Sequence, residues 1–232
     1  MSYFSFKRVW CGLLVLAGPL VCAAAGAVAT PAATYDPAQL PTFHGKVGQY
    51  DLAPDGDVDG LILDSGLEVH TSPHQAAEVA AAVRPGDPVT IHGLKARELG
   101  LVRARSLTND NTAATVLDSG DSMDEHGRDG GHGRHRGHHR GGGHGTAGDA
   151  HGKIKMQLHD TDGNVDGVLL IDGTIVHFPS QMAIAKAAQL APGQDLFVQG
   201  DVTVSDLGRL VNAHALGSSA ADLVPVPEMR DR

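Results

Sequence analysis

The sequence predicts an all-β protein built from two tandem five-stranded barrels, each carrying one short helix. The first observation behind this prediction is a duplication. Residues 45–93 align with residues 152–200 without a gap, and about a third of the aligned positions are identical. A repeat of this length is typical of a duplicated domain rather than of a solenoid of short repeats. The second observation is that both copies predict the same elements in the same order.

The first half of each copy predicts three strands. An alternation of apolar and polar residues, clearest over residues 154–158, predicts the first strand. A turn rich in Asp and Gly leads to a short apolar strand. The pairs Ser65-Gly66 and Asp172-Gly173 then predict a hairpin to a third strand.

The second half of each copy predicts a helix and two more strands. In the first copy Ser72 stands where it can cap the helix. The apolar stripe of that helix consists of Ala76, Val79, Ala80 and Val83. Lys186 replaces Val79 in the second copy, which predicts a weaker contact between helix and barrel. Three strands, a helix and two strands within about 65 residues are the order of an OB-type barrel.

Both copies also share short motifs, of which Asp-Gly-x-Val-Asp-Gly at 55–60 and the related segment at 162–167 are the clearest. With the Val-His pairs and Pro-Gly pairs that follow, the chain resembles uncharacterised bacterial exported proteins with tandem OB-fold-like domains. The resemblance implies a binding module and assigns no activity to particular residues.

The first residues have the features of a secretory signal. Lys7 and Arg8 precede an apolar run over residues 9–21, and Ala27-Val28-Ala29 fits the small-x-small cleavage pattern. The run is shorter than the roughly 20 apolar residues that a membrane span needs. We therefore expect an exported protein, periplasmic or secreted, with no membrane span after cleavage. Both cysteines, Cys11 and Cys22, lie in this segment, and lipidation of Cys22 stays open.

These patterns predict the following organisation, given in residue numbers: signal peptide 1–29, leader 30–41, first OB-like barrel 42–109, disordered His-rich linker 110–151, second OB-like barrel 152–217, and tail 218–232.

The predicted linker is rich in His, Gly and Arg, and seven of the 14 histidines lie in it. Its composition cannot form an apolar core, which predicts disorder. Imidazole binds nickel, zinc and copper. The candidate ligands for such an ion are His132, His135, His138, His139 and His144. The alternative is a solvated spacer whose arginines repel cations.

Two further features repeat in both copies. Carboxylate and amide side chains at alternate positions before a Gly turn match the start of a calcium loop. They are Asp55, Asp57 and Asp59 in the first copy, and Asp162, Asn164 and Asp166 in the second. The bidentate ligand at position twelve is missing, which favours an ordinary polar turn. His70 and His177 end equivalent strands, and no repeated carboxylate accompanies them, which favours a structural role.

Charge and motifs narrow the function further. The formal net charge is −9, and each repeat is net −3, which predicts against nucleic acid as a partner. No nucleophile elbow, phosphate loop or repeated catalytic set is present. The leading hypothesis is a non-enzymatic exported binding or envelope-stress module for an unknown protein or small molecule. The alternatives are metal binding or buffering by the linker and an oligosaccharide-binding accessory.

Overall fold

The computed structural model describes residues 36–118 and 145–227. The predicted signal peptide and the five candidate linker histidines lie outside the described residues. Among the residues that are described, no helix is long and apolar enough to cross a membrane.

The first barrel is formed by the first of the two repeats. A short 3₁₀ helix, Pro37–Gln39, precedes it, and a second, Pro73–Gln75, leads into its α-helix. In chain order its elements are β1 (Thr42–Leu52), β2 (Val58–Leu63), β3 (Glu68–His70), α1 (Ala76–Ala82), β4 (Pro88–Lys95), β5 (Leu101–Asn109) and β6 (Thr115–Leu117). The strands are hydrogen-bonded in the order β3-β2-β1-β4-β5, and a parallel pairing of β3 with β5 closes the barrel.

The second barrel repeats this plan. Its elements are β7 (Thr146–His159), β8 (Val165–Leu170), β9 (Ile175–His177), α2 (Ser180–Ala185), β10 (Asp195–Ser205), β11 (Gly208–Gly217) and β12 (Val224–Pro225). A parallel pairing of β9 with β11 closes it, and β10 pairs with both β7 and β11. The prediction of two tandem OB-like barrels, each with a short helix between the third and fourth strands, is confirmed.

The edges of the barrels extend past the boundaries expected from the sequence. Strand β6 and the first residues of β7 lie within the range 110–151 that was predicted to be linker. β6 pairs with β5, and the start of β7 pairs with β10, so both segments satisfy their backbone hydrogen bonds inside a sheet.

The helix of the second barrel differs from the expected one. It begins at Ser180 and ends at Ala185, before Lys186, which was expected on its apolar stripe. Met182 and Ala183 are the buried residues of α2, and Lys186 follows its last turn. The predicted apolar stripe through Lys186 is therefore not formed, and replacing Lys186 by valine is not expected to stabilise the barrel.

The two barrels share one apolar core at their junction. The buried cluster of the first barrel includes four side chains of the second, Leu158, Leu169, Ile175 and Leu210. A separate cluster fills the interior of the second barrel. Two side chains of the second barrel, His177 and Asn212, also donate hydrogen bonds to the backbone carbonyls of Leu52 and Pro54, at 2.6 and 2.8 Å. The barrels are thus packed on each other by an apolar face with polar bonds at its edge.

Candidate functional site

A row of three residues crosses β1, β2 and β3 on the face of the first barrel that meets the second. Asp51 is paired with Gly60, and Gly60 is paired with His70. Gly60 has no side chain, and a Cβ added there would lie 2.1 Å from the carbonyl oxygen of Val69. The middle of the row is therefore left without a side chain between Asp51 and His70.

Glu68 joins this row because it lies two residues before His70 on β3. Residues two apart on a strand point to the same face of the sheet. The Nε2 atom of His70 lies 3.8 Å from Oδ2 of Asp51 and 3.9 Å from Oε1 of Glu68. Asp51, Glu68 and His70 are all buried, and one ligand atom from each lies within 4.8 Å of the others. We call these three residues the junction triad.

The second barrel holds Glu68 in place. Oε1 of Glu68 accepts a hydrogen bond from the backbone N–H of His159 at 2.8 Å, and Oε2 pairs with Nδ1 of the same residue at 2.7 Å. Both oxygens of this carboxylate are engaged by one residue of the other repeat. These bonds fix the rotamer of Glu68, which is only 1 % exposed.

His70 has no such partners. It is 3 % exposed, and within the described ranges neither of its ring nitrogens makes a hydrogen bond. An unsatisfied buried polar group costs about 1–3 kcal/mol. His70 has two such nitrogen atoms and lies beside two carboxyl groups, so its burial needs a physical explanation.

The electrostatics of the triad follow from its burial. Burial raises the pKa of Asp51 to about 8, against the opposing effect of His70. Burial alone lowers the pKa of His70, but the Glu68 and Asp51 carboxylates outweigh it, and the net pKa is raised. Burial favours a raised pKa for Glu68 as well, but the bonds from His159 outweigh it and lower the pKa. The site therefore holds two buried carboxyl groups, those of Asp51 and Glu68, next to the imidazole of His70.

The second repeat has the same row without its carboxylates. Leu158 is paired with Gly167, and Gly167 is paired with His177. Leu158 stands where the first repeat has Asp51, and Ile175 stands where it has Glu68. Nε2 of His177 instead donates to the backbone carbonyl of Leu52. Of the two histidines that the duplication singles out, His70 lies among carboxylates and His177 is bonded to the backbone.

His177 makes folding sensitive to acid. Burial lowers its pKa below the usual value, so the unfolded chain binds a proton at higher pH than the folded protein does. We expect the free energy of unfolding to be fully retained above about pH 6.5 and to fall as the pH drops through and below that value. Urea melts at pH 7.5 and pH 5.5 measure this. The loss should be smaller in a His177→Gln variant, and an equal loss in that variant would contradict the assignment.

A cavity of about 130 Å³ opens beside His70. Its lining includes Thr161 of the second barrel together with residues of the first: His70, Thr71, Ser72, Pro73, His74, Arg103, Ala104 and Asp118. His70 borders this cavity although its ring nitrogens are shielded from solvent, so the triad is buried but adjoins the cavity.

The calcium-like turns are occupied by bonds within the turns themselves. Oδ1 of Asp55 accepts from the backbone N–H of Asp57 at 3.1 Å. In the second repeat Asp160 plays this part and accepts from the backbone N–H groups of Asp162 and Asn164. The third acidic residues of the motifs, Asp59 and Asp166, are half-buried and act electrostatically on the junction triad. Burial and the nearby Asp160 raise the pKa of Asp166 to about 7. The ordinary polar turn that the sequence favours stays the prediction here, with calcium binding as its alternative.

Sequence reasoning did not find the residues that complete this site. Glu68 was set aside because Ile175 stands at its aligned position, and neither Asp51 nor His159 was considered. A signal was present, since an acidic residue interrupts an apolar strand in both Tyr50-Asp51-Leu52 and Leu67-Glu68-Val69. Buried acidic residues are rare unless they are paired or bind metal.

The fold and this site define a tandem OB-fold protein with a buried polar junction, which is compatible with a binding module. No protein family matches the chain, and no curated protein matches it in sequence. The chain is similar to solved structures of the single-stranded DNA binding protein from Thermus aquaticus. A deletion mutant of that protein is 15% identical, with 79% of this chain and 95% of that chain covered and a TM-score of 0.24. The wild-type protein is 14% identical, with 82% and 93% covered and a TM-score of 0.23.

These comparisons correct one prediction made from the sequence. The net charge of −3 on each repeat predicted against nucleic acid as a partner. Both similar structures are single-stranded DNA binding proteins, so that prediction is wrong. The physical reason is that a net charge summed over a whole repeat does not determine the charge of any one face of a barrel.

Proposed function

We propose that the protein is an exported, non-enzymatic binding module that takes a small cation into the acidic junction between its two barrels. One observation carries the proposal. Asp51 and Glu68 are buried around a histidine whose ring nitrogens, among the described residues, have no hydrogen-bond partner. A cation placed between these groups would offset the cost of burying them.

The charges around the triad favour a cation over an anion. The groups that act most strongly on Asp51, after burial itself, are His70, Glu68, Asp59 and Asp166, of which three are acidic. Within the described ranges the ion pairs of Asp51 and Glu68 are made with histidines, and none is made with a lysine or arginine. A low-dielectric pocket lined by one sign of charge attracts ions of the opposite sign.

Export is part of the proposal because of the first 29 residues, where a basic pair, an apolar run and a small-x-small site follow one another. The absence of cysteine after residue 29 fits a protein that folds outside the cytoplasm without a disulfide.

Thermal melts with a panel of ions test the proposal. The chain from residue 30, without an affinity tag, is melted with manganese, zinc or magnesium chloride, with spermidine and with sodium phosphate. We expect at least one cation to raise the melting temperature and phosphate to have no comparable effect. The rise should be lost in Asp51→Asn and kept in Asp195→Asn, a surface acid paired with Lys153. Stabilisation by phosphate alone, or an equal rise in both variants, would contradict the proposal.

A further inference from the structure

We infer that the cation is a divalent transition-metal ion bound by Asp51, Glu68 and His70. This inference rests on the proposed function, because it names the class of cation that the junction takes. The proposed site lies in the first barrel and is separate from the candidate histidines of the predicted linker.

The three donors have the spacing of a metal site. A tetrahedral ion with bonds near 2.1 Å holds its ligand atoms about 3.4 Å apart. The distances from Nε2 of His70 to the two carboxylates are 3.8 and 3.9 Å. One ligand atom from each of the three residues lies within 4.8 Å of the others, so the side chains would draw together to bind an ion. Three protein ligands also leave a position for water, as open zinc sites do.

The row places no side chain between two of the donors. The residue between Asp51 and His70 in the row is Gly60, where β3 lies so close that an added Cβ would meet the carbonyl oxygen of Val69 at 2.1 Å. The second repeat shows what happens without the carboxylates. There Leu158 borders the equivalent glycine and His177 turns to a backbone carbonyl. Of the two repeats, the first combines the two carboxylates with an imidazole whose nitrogens make no hydrogen bond with any described residue.

His159 acts as a positioning residue for this site. Its backbone and ring nitrogens hold both oxygens of Glu68, as the outer partners of a ligating carboxylate do. The second barrel thus contributes no ligand to the ion, but through His159 it orients the carboxylate of Glu68. Loss of such an outer partner lowers metal affinity by roughly 10–100-fold.

The donor set indicates the kind of ion. An imidazole suits zinc, iron, copper and nickel, whereas carboxylates also suit manganese, calcium and magnesium. One nitrogen and two carboxylates together favour a borderline ion such as Zn²⁺, Fe²⁺ or Mn²⁺. We therefore choose Zn²⁺ and Mn²⁺ as probes.

Calorimetry with Zn²⁺ and Mn²⁺ tests the inference. The protein is the untagged chain from residue 30, in which His132, His135, His138, His139 and His144 are changed to serine so that they do not compete. We expect one ion per chain. Affinity should fall by at least about 100-fold in His70→Gln and Asp51→Asn, and by about 10–100-fold in His159→Leu.

The duplication supplies a matched control. His177→Gln changes the same residue at the same place in the second repeat, and we expect its affinity for the ion to be unchanged. Melts without metal confirm that each variant folds.

The outcomes separate this inference from the proposed function. No binding of either ion, or equal affinity in His70→Gln and the parent protein, would overturn the inference. If spermidine or magnesium still acts through Asp51 in that case, the proposed cation module stands and only the metal is wrong. If no cation acts through Asp51, both fail.

Discussion

Replacing Gly200 by alanine should lower the free energy of unfolding by about 3–5 kcal/mol. Gly200 lies at an irregularity in the pairing of β10 with β11, where the register shifts between Gln199 and Gly200. A Cβ at this position would lie 1.9 Å from the carbonyl oxygen of Asn212 and 2.8 Å from its carbonyl carbon. Both are backbone atoms of the neighbouring strand, so the clash can be relieved only by displacing that strand.

Gly152→Ala is the matched control for this prediction. Gly152 also lies in a strand of the second barrel, but its added Cβ would come no closer than 3.6 Å to a neighbouring atom, Cδ1 of Leu170. We expect a change within about 1 kcal/mol, and in the stabilising direction, since alanine has less conformational freedom to lose on folding. Urea melts of both variants give the comparison. Similar effects at the two positions would show that the bulge at Gly200 is not a tight approach.

Replacing Leu158 by alanine should destabilise the whole described fold by about 3–5 kcal/mol, and both barrels should unfold in one transition. Leu158 is 1 % exposed and belongs to the core that the two barrels share. Its removal leaves a cavity at the junction, among the other side chains that the second barrel contributes to this core. The apolar face of either barrel is buried only while the other remains folded.

Calorimetry and denaturant melts measure this effect. The calorimetric and van't Hoff enthalpies of the parent protein should agree, as they do for a single cooperative unit. Leu94→Ala is the control, since Leu94 is 55 % exposed and its loss should change stability by less than about 0.5 kcal/mol. Two separate transitions, with only the second shifted by Leu158→Ala, would show that the barrels are independent.

The architecture could be predicted because it depends on local patterns. Alternation defined the strands, and Ser65-Gly66 and Asp172-Gly173 marked the hairpins. Gly66 and Gly173 have φ of +82° and +90°, values that glycine adopts without strain. Because the two repeats share these patterns, each element was predicted independently in both copies. The extent of the helix in the second barrel was not predicted correctly, because Met182, which it buries, aligns with a polar residue, Gln75, in the first.

The candidate site could not be predicted in the same way, because it depends on contacts between residues far apart in sequence. Glu68 and His159 are 91 residues apart and meet only when the barrels pack. The expectation that a functional residue should appear in both copies also worked against the site. Asp51 and Glu68 align with Leu158 and Ile175, so a search for residues that repeat in both copies does not find them.

The shared core has a consequence for the history of this chain. The two copies each bury an apolar face against the other, so they depend on each other as the subunits of an obligate heterodimer do, although they belong to one polypeptide. Leu158 and Ile175 pack in the common core, while their counterparts Asp51 and Glu68 are buried acidic residues. The copies have therefore diverged into unlike partners. Neither copy can replace the other, and the loss of either would leave its partner with an exposed apolar face.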